Sequence, residues 1–156
     1  MAAVISLALM LLFGIIEYAR FVYFMHVADS AAREAARFAV VHTGDGTTVG
    51  SITDKTPPNN PDGTPNTSAT VCGVANYTIN GADSNLVPGT YQISVYNANP
   101  STGAPISGTN WNDGAFGGAI AVQVKGTFKL IVPSLLQFSS GNIPVTVTAM
   151  MSSEAN

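Results

Sequence analysis

Apolar residues fill the first sixteen positions of the chain, MAAVISLALMLLFGII, with neither charge nor proline to interrupt them. As a helix rising about 1.5 Å per residue, this run spans roughly 24 Å, slightly short of a hydrocarbon core of about 30 Å. Adding FVYFM beyond Arg20 makes it long enough, provided Glu17 and Arg20 are tolerated inside it. From Glu17 onward the apolar positions narrow to a stripe. Phe21, Phe24, Ala28, Ala31, Ala35 and Phe38 recur at alternating spacings of three and four, which sets them on one helical face. His26, Asp29, Ser30, Arg33, Glu34 and Arg37 fall opposite, with Asp29 and Arg33 in the favourable i,i+4 order. The alanines of VADSAAREAARFAV favour helix and permit close approach by a neighbour. Punctuation arrives only at HTGDG, residues 42 to 46. The pattern therefore predicts one helix from about residue 2 to about residue 41, near 60 Å long, apolar all round in its first half and two-faced in its second.

Beyond it the period changes. Residues 42 to 65 read as a linker, turn-rich around Pro57-Pro58 and Asp62-Gly63, and residues 66 to 156 as a β-rich globular domain. TSATVCGVANYTI fits a short helix or a strand, and periodicity does not decide between them. Three stretches alternate as strands do. Tyr91, Ile93 and Val95 alternate with polar residues in TYQISVYNA. In AIAVQVKGTFKL, Ile120, Val122, Val124, Phe128 and Leu130 oppose Gln123, Lys125, Thr127 and Lys129. In IPVTVTAM, Val145 and Val147 alternate with Thr146 and Thr148. Half-buried strands of this kind suit an antiparallel sheet with one face covered. The predicted class is α+β, a long helix on a small antiparallel sheet, with Phe24, Ala28, Ala31, Ala35 and Phe38 making the helix-to-sheet packing. Residues 97 to 118 read as a long exposed loop or hairpin excursion in which Trp111 could anchor a contact.

Composition narrows the function. Charged residues make up 10% of the chain, against about 25% in an ordinary soluble domain. The net charge of −3 and the scatter of Arg20, Arg33, Arg37, Lys55, Lys125 and Lys129 argue against nucleic acid as a partner. The single cysteine, Cys72, rules out a disulfide-built scaffold and is most simply a small buried apolar residue. No nucleophile elbow, phosphate loop or cysteine–histidine zinc spacing is present, so no catalytic, cofactor or metal residues are assigned. Asp45, Asp54 and Asp62 fit no calcium-loop spacing, and His26 and His42 suit a polar stripe and a helix end. Asn66 and Asn76 begin N-x-Ser/Thr triplets, common by chance in so Thr- and Asn-rich a chain.

Membrane orientation poses a conflict. All three helix arginines follow the apolar run, which taken literally places the Thr/Asn-rich domain in the cytoplasm. A charge-poor domain of this composition looks exported instead. A short basic leader, present in the precursor and later removed, reconciles the two, and the precursor sequence tests that expectation.

LLFGIIEYARFVYFMHVADSAAREAARFAVV resembles the N-terminal signature of TadE-like proteins, pilin-related subunits of tight-adherence secretion and pilus systems. Gly14, Ile15, Ile16, Glu17 and Arg20 match its first block, with departures at Tyr18 and Ala19. Ala32, Arg33, Glu34, Ala36 and Arg37 match its second, where Ala35 replaces a glycine. The closing segments FKLIVPSLLQF and IPVTVTAMMSSE are similar in layout, while residues 43 to 115 match nothing nameable. The resemblance implies a prepilin-type precursor, an inner-membrane stage, a pilus assembly machinery as partner and a filament on the cell surface. Pilin-like helices usually carry a glutamate near the mature N-terminus, and residues 1 to 16 contain no acid. Either assembly dispenses with that contact or the chain begins further into the helix.

Glu17 and Arg20 sit one turn apart and can pair, which softens a penalty of about 2.5–3.5 kcal/mol for a charge at mid-membrane. Two readings are compatible: a snorkelling pair at the headgroups, and a register-fixing contact between copies in a helical bundle. The expected interface positions are Phe13, Gly14, Glu17, Tyr18, Arg20 and Phe21. The leading reading is a pilin-like subunit that polymerises with itself after a membrane stage. The main rival is a minor, membrane-retained pseudopilin that assists assembly or secretion. A tethered adhesin and electron conduction along Phe13, Tyr18, Phe21, Tyr23, Phe24 and Phe38 are further alternatives.

Overall fold

The computed structural model describes residues 2–43, 49–50, 54–82, 91–113, 117–131 and 142–153. One helix, α1, runs Ala2–Val41 without interruption, as the hydrophobic pattern predicts. A second helix, α2, spans Val71–Gly81. Three strands follow: β1 at Tyr91–Ala98, β2 at Ala119–Lys129 and β3 at Asn142–Ser152, with a 3-10 turn at Trp111–Asp113 between the first two. The sheet is antiparallel in the order β1-β2-β3, so the central strand is also the most buried. The arrangement is α+β.

The strands form where the sequence alternates, and their register explains the burial. Ile93 pairs with Val124, Val95 with Val122, and Asn97 with Ile120. On the other side Val145 pairs with Gly126, Val147 with Val124, Ala149 with Val122 and Ile143 with Phe128. Directly opposed residues point the same way, so these positions make one apolar face. The other face presents Gln92, Ser94, Gln123, Lys125, Thr146 and Thr148, polar as a solvated sheet face should be.

The C-terminal half of α1 lies against that apolar face. Phe24, Ala28, Ala31 and Ala35 are all buried, and Phe38 is half-buried against the same core. Phe24 meets the sheet at Gly126, where a Cβ would sit 3.0 Å from the Phe24 Cζ. A glycine in a strand here marks close approach of a ring rather than a bend. The helix is covered more widely than a single stripe predicts, because Ala32, Ala36, Ala39 and Val40 are buried as well. The extra cover is α2, which packs on α1 beside the sheet.

The segment that periodicity leaves undecided is therefore a helix. Thr70 caps it in an extended conformation, its hydroxyl accepting the Gly73 N–H at 3.0 Å. Val71, Val74, Ala75 and Ile79 then fall on one buried face at helical spacing. The linker is tied to this helix start. The Asp54 carboxylate accepts from the Thr70 hydroxyl at 2.5 Å and from the Thr56 N–H at 2.9 Å, while its carbonyl accepts from the Asn76 side-chain amide at 2.7 Å.

Two expectations for residues 97 to 118 need correction. Asn97 and Ala98 continue β1, and both are buried. Trp111 is only 8% exposed and belongs to the main hydrophobic cluster, so it anchors the loop inward rather than outward. An indole this large gains far more by core burial than by solvent exposure. Residues 99 to 110 are otherwise largely exposed, closed by a turn in which Gly103 adopts φ +68°.

Candidate functional site

The first half of α1 stands in contrast to the second. Every side chain described from Val4 to Ile16 is exposed, with Leu7 at 70% and Met10 at 68%. Phe13 and Gly14 lie in this bare stretch, and a Cβ on Gly14 would meet nothing within 4 Å. An uninterrupted apolar surface of this kind marks a membrane or protein interaction site in a chain whose remaining core is closed.

The bare stretch ends at Glu17, and the change is abrupt. Glu17 is 8% exposed, the only acidic residue among the buried ones described. Its carboxylate accepts from Arg20 Nη1 at 3.1 and 3.0 Å. A third donor comes from 114 residues away, the Ile131 backbone N–H, 3.1 Å from Oε1. Arg20 in turn lies over the Phe128 ring, 5.6 Å from its centroid. Phe128 is fully buried and is met edge-on by Phe21 at 5.5 Å and at a tilt by Phe24 at 5.8 Å. The end of β2 is thus stapled to α1 by the Ile131–Glu17 hydrogen bond, the Arg20 contact with the Phe128 ring, and the edge-on and tilted packing of Phe21 and Phe24 on that ring.

This geometry sets what the ion pair can do. A carboxylate taken out of water is costly unless it is paired and its lone pairs are used. Arg20 and Ile131 supply both, so Glu17 is satisfied within one chain. A contact between copies through Glu17 has to exchange with this internal one. The expected interface positions divide accordingly. Phe13, Gly14 and Tyr18 (69% exposed) face outward, whereas Glu17, Arg20 and Phe21 close on the sheet.

The Ile131 and Phe128 partners carry no local signal, since they lie over a hundred residues from the helix positions they touch. Tyr23 donates its hydroxyl to the Ala82 carbonyl at 2.7 Å and so ties the end of α2 to α1.

Elsewhere the polar groups have structural work. His26 is exposed on the polar stripe, while His42 Nδ1 lies 2.9 Å from the Phe38 carbonyl with its ring stacked on Phe38 at 4.0 Å. Arg33 pairs with Asp29 at 2.9 Å on the exposed side of α1. Burial raises the Asp54 carboxyl, but hydrogen bonds from Thr56 and Thr70 outweigh it and hold the group below the ordinary aspartate range. Burial, reinforced by Asp54, pushes the Cys72 thiol up to about 11, which leaves it protonated and unreactive at neutral pH. Among the described residues no group of three or more His, Cys, Asp and Glu could share a metal ion, and Asp45 lies outside them. Asn76 is buried and holds the linker, so its triplet is closed to modification; Asn66 is half-buried in a turn.

The TadE-like protein family matches residues 1–37, a stretch that covers the bare half of α1, the Glu17–Arg20 staple and most of the packed half. No curated protein and no solved structure matches the chain. The match makes the N-terminal helix similar to that of TadE-like proteins and does not extend to α2 or the sheet.

Proposed function

We propose that this chain is a structural, pilin-like subunit that polymerises with copies of itself into an extracellular helical filament. The apolar half of α1 is held in the inner membrane before assembly and is buried among neighbouring helices afterwards. One observation carries the reading: of the apolar window that is long enough to cross a membrane, only 6% is buried within the chain. Such a surface is unstable in water and needs lipid or copies of itself. The TadE-like match over residues 1–37 supports the pilus context.

On this reading the chain divides into a membrane and filament-core helix at 1–41, a linker at 42–65 and a surface domain at 66–156. Phe13, Gly14 and Tyr18 are contacts between copies, while Glu17, Arg20 and Phe21 fix how the rod leaves the domain. A head-to-tail contact that does not close generates the filament, so each subunit offers two complementary faces. The role is structural rather than catalytic, and the pilus assembly machinery extracts the subunit from the membrane.

Electron microscopy of native material, with subunit identification by mass spectrometry, tests the proposal. Uniform fibres built of this chain alone are the expected result. Recovery only in the membrane, or as a trace subunit in fibres of another chain, would assign it the assisting pseudopilin role instead.

A further inference from the structure

The sheet end that grips Glu17 exposes two large apolar side chains. Ile131 is 54% exposed while its own N–H is bonded to Glu17, and Ile143, paired with the buried Phe128, is 37% exposed. Lys129, paired with Asn142 on the sheet's polar face, is exposed beside them. The lengths explain why these residues gather at one level. Ten steps of about 3.4 Å along β2 span about 34 Å, and the twenty steps from Phe21 to Val41 at about 1.5 Å span about 30 Å. The sheet therefore covers the packed half of α1 and stops flush with Glu17, where the bare half begins.

We propose that this end of the sheet is a second membrane contact, in which Ile131 and Ile143 dip into the headgroup region of the bilayer that holds the apolar half-helix. The inference rests on the membrane stage of the proposed function and adds a lipid-binding surface to the globular domain. What points to lipid is continuity. The patch meets the exposed run Val4–Ile16 at Glu17, which accepts the Ile131 N–H and pairs with Arg20, and Tyr18, 69% exposed, stands at the same level as an amphipathic aromatic suited to an interface. Exposed Lys129 sits where an anionic headgroup would lie. The staple at Glu17 then acts as a depth stop. It pins the domain to α1, so that insertion of the helix presses Ile131 and Ile143 onto the surface.

Spin labels read this directly. Ile131→Cys, Ile143→Cys, Leu9→Cys and Ile106→Cys are introduced singly into the full-length chain carrying Cys72→Ala. Each is reconstituted at one chain per nanodisc of phosphatidylcholine and phosphatidylglycerol. Ile106 serves as the aqueous reference, because its N–H bonds to Asn97 at the opposite end of the sheet. Native-like emission from buried Trp111 confirms that each variant is folded. The expected result is deep oxygen access at position 9, shallow but clear oxygen preference at 131 and 143, and nickel-chelate preference at 106. Position 9 in lipid with 131 and 143 as aqueous as 106 overturns the surface while sparing the membrane stage. Position 9 in water overturns both. Labels at 131 and 143 shielded only when several chains share a disc would assign the patch to a second copy, and overturn the lipid contact.

Discussion

The two halves of α1 are both rich in apolar residues, yet they are built for different surroundings. Val4–Ile16 carries Leu, Ile, Met and Val, nearly all of it bare. The packed half buries Ala28, Ala31, Ala32, Ala35, Ala36 and Ala39 instead, with Phe24 and Val27 at its start. Alanine contributes little area of its own but lets neighbouring backbones come close, which is what a helix needs when α2 covers it on one side and the sheet on another. Large flexible side chains suit the opposite case, where the neighbour is lipid or another helix that can interdigitate. Side-chain size, more than hydrophobicity, separates the half that builds the domain from the half that leaves it.

Substitutions can break that contrast, beginning with Phe128, where the two halves meet. Phe128→Ala removes the ring that Phe21, Phe24 and Arg20 share, and should lower stability by about 3–5 kcal/mol. Urea unfolding in detergent micelles measures it; a loss below half that would show that the staple does not depend on the ring. Glu17→Ala leaves the Ile131 N–H without its acceptor and Arg20 without its anion, for an expected loss of about 1.5–3 kcal/mol. The variant should still insert in membranes but polymerise poorly, and normal filaments would reject any role for Glu17 in assembly. Ala35→Leu tests the size argument by overpacking a fully buried site, at an expected cost of about 1–3 kcal/mol.

A smaller effect concerns pH. The Asp54 carboxyl is depressed in the fold, so the stability it contributes is complete above the unfolded aspartate value of about 3.9 and is lost as pH falls through the lower folded value. The gap in urea midpoint between the native chain and Asp54→Asn should therefore be open at pH 6 and shrink on acidification below pH 4. A gap that stayed constant would mean the hydrogen bonds from Thr56 and Thr70 do not favour the charged form. Leu7→Ala, in the bare half, should change unfolding stability by no more than about 0.5 kcal/mol while reducing incorporation into filaments. A large stability loss there would place Leu7 in the domain's own core.

Local pattern carried much of the architecture. The uninterrupted helical period before HTGDG announces α1, and strict alternation announces the three strands and which residues share a face. What local pattern left open lay where local and tertiary preferences diverge. VCGVANYTING has strand-compatible composition, and the Thr70 cap with its apolar 3–4 spacing is the signal that separates it from a strand. Trp111 sits among Gly, Asn and Ser residues that read as exposed loop, and only the surrounding core shows that it turns inward. Asn76, whose triplet is common by chance in this composition, holds the linker through its side-chain amide, a contact no local spacing records.

By itself the sequence determined the rod: its length, its bare and two-faced halves and the unusual charges at position 17 and 20. Those are properties of short-range periodicity, which neighbouring residues in the chain encode. Tertiary structure alone decided that Glu17 is answered by the backbone of Ile131, that Gly126 makes room for Phe24, and that α2 joins the sheet in covering the helix. Such pairings join residues up to 114 positions apart. They depend on where the chain's distant segments come to rest, and no local spacing records that.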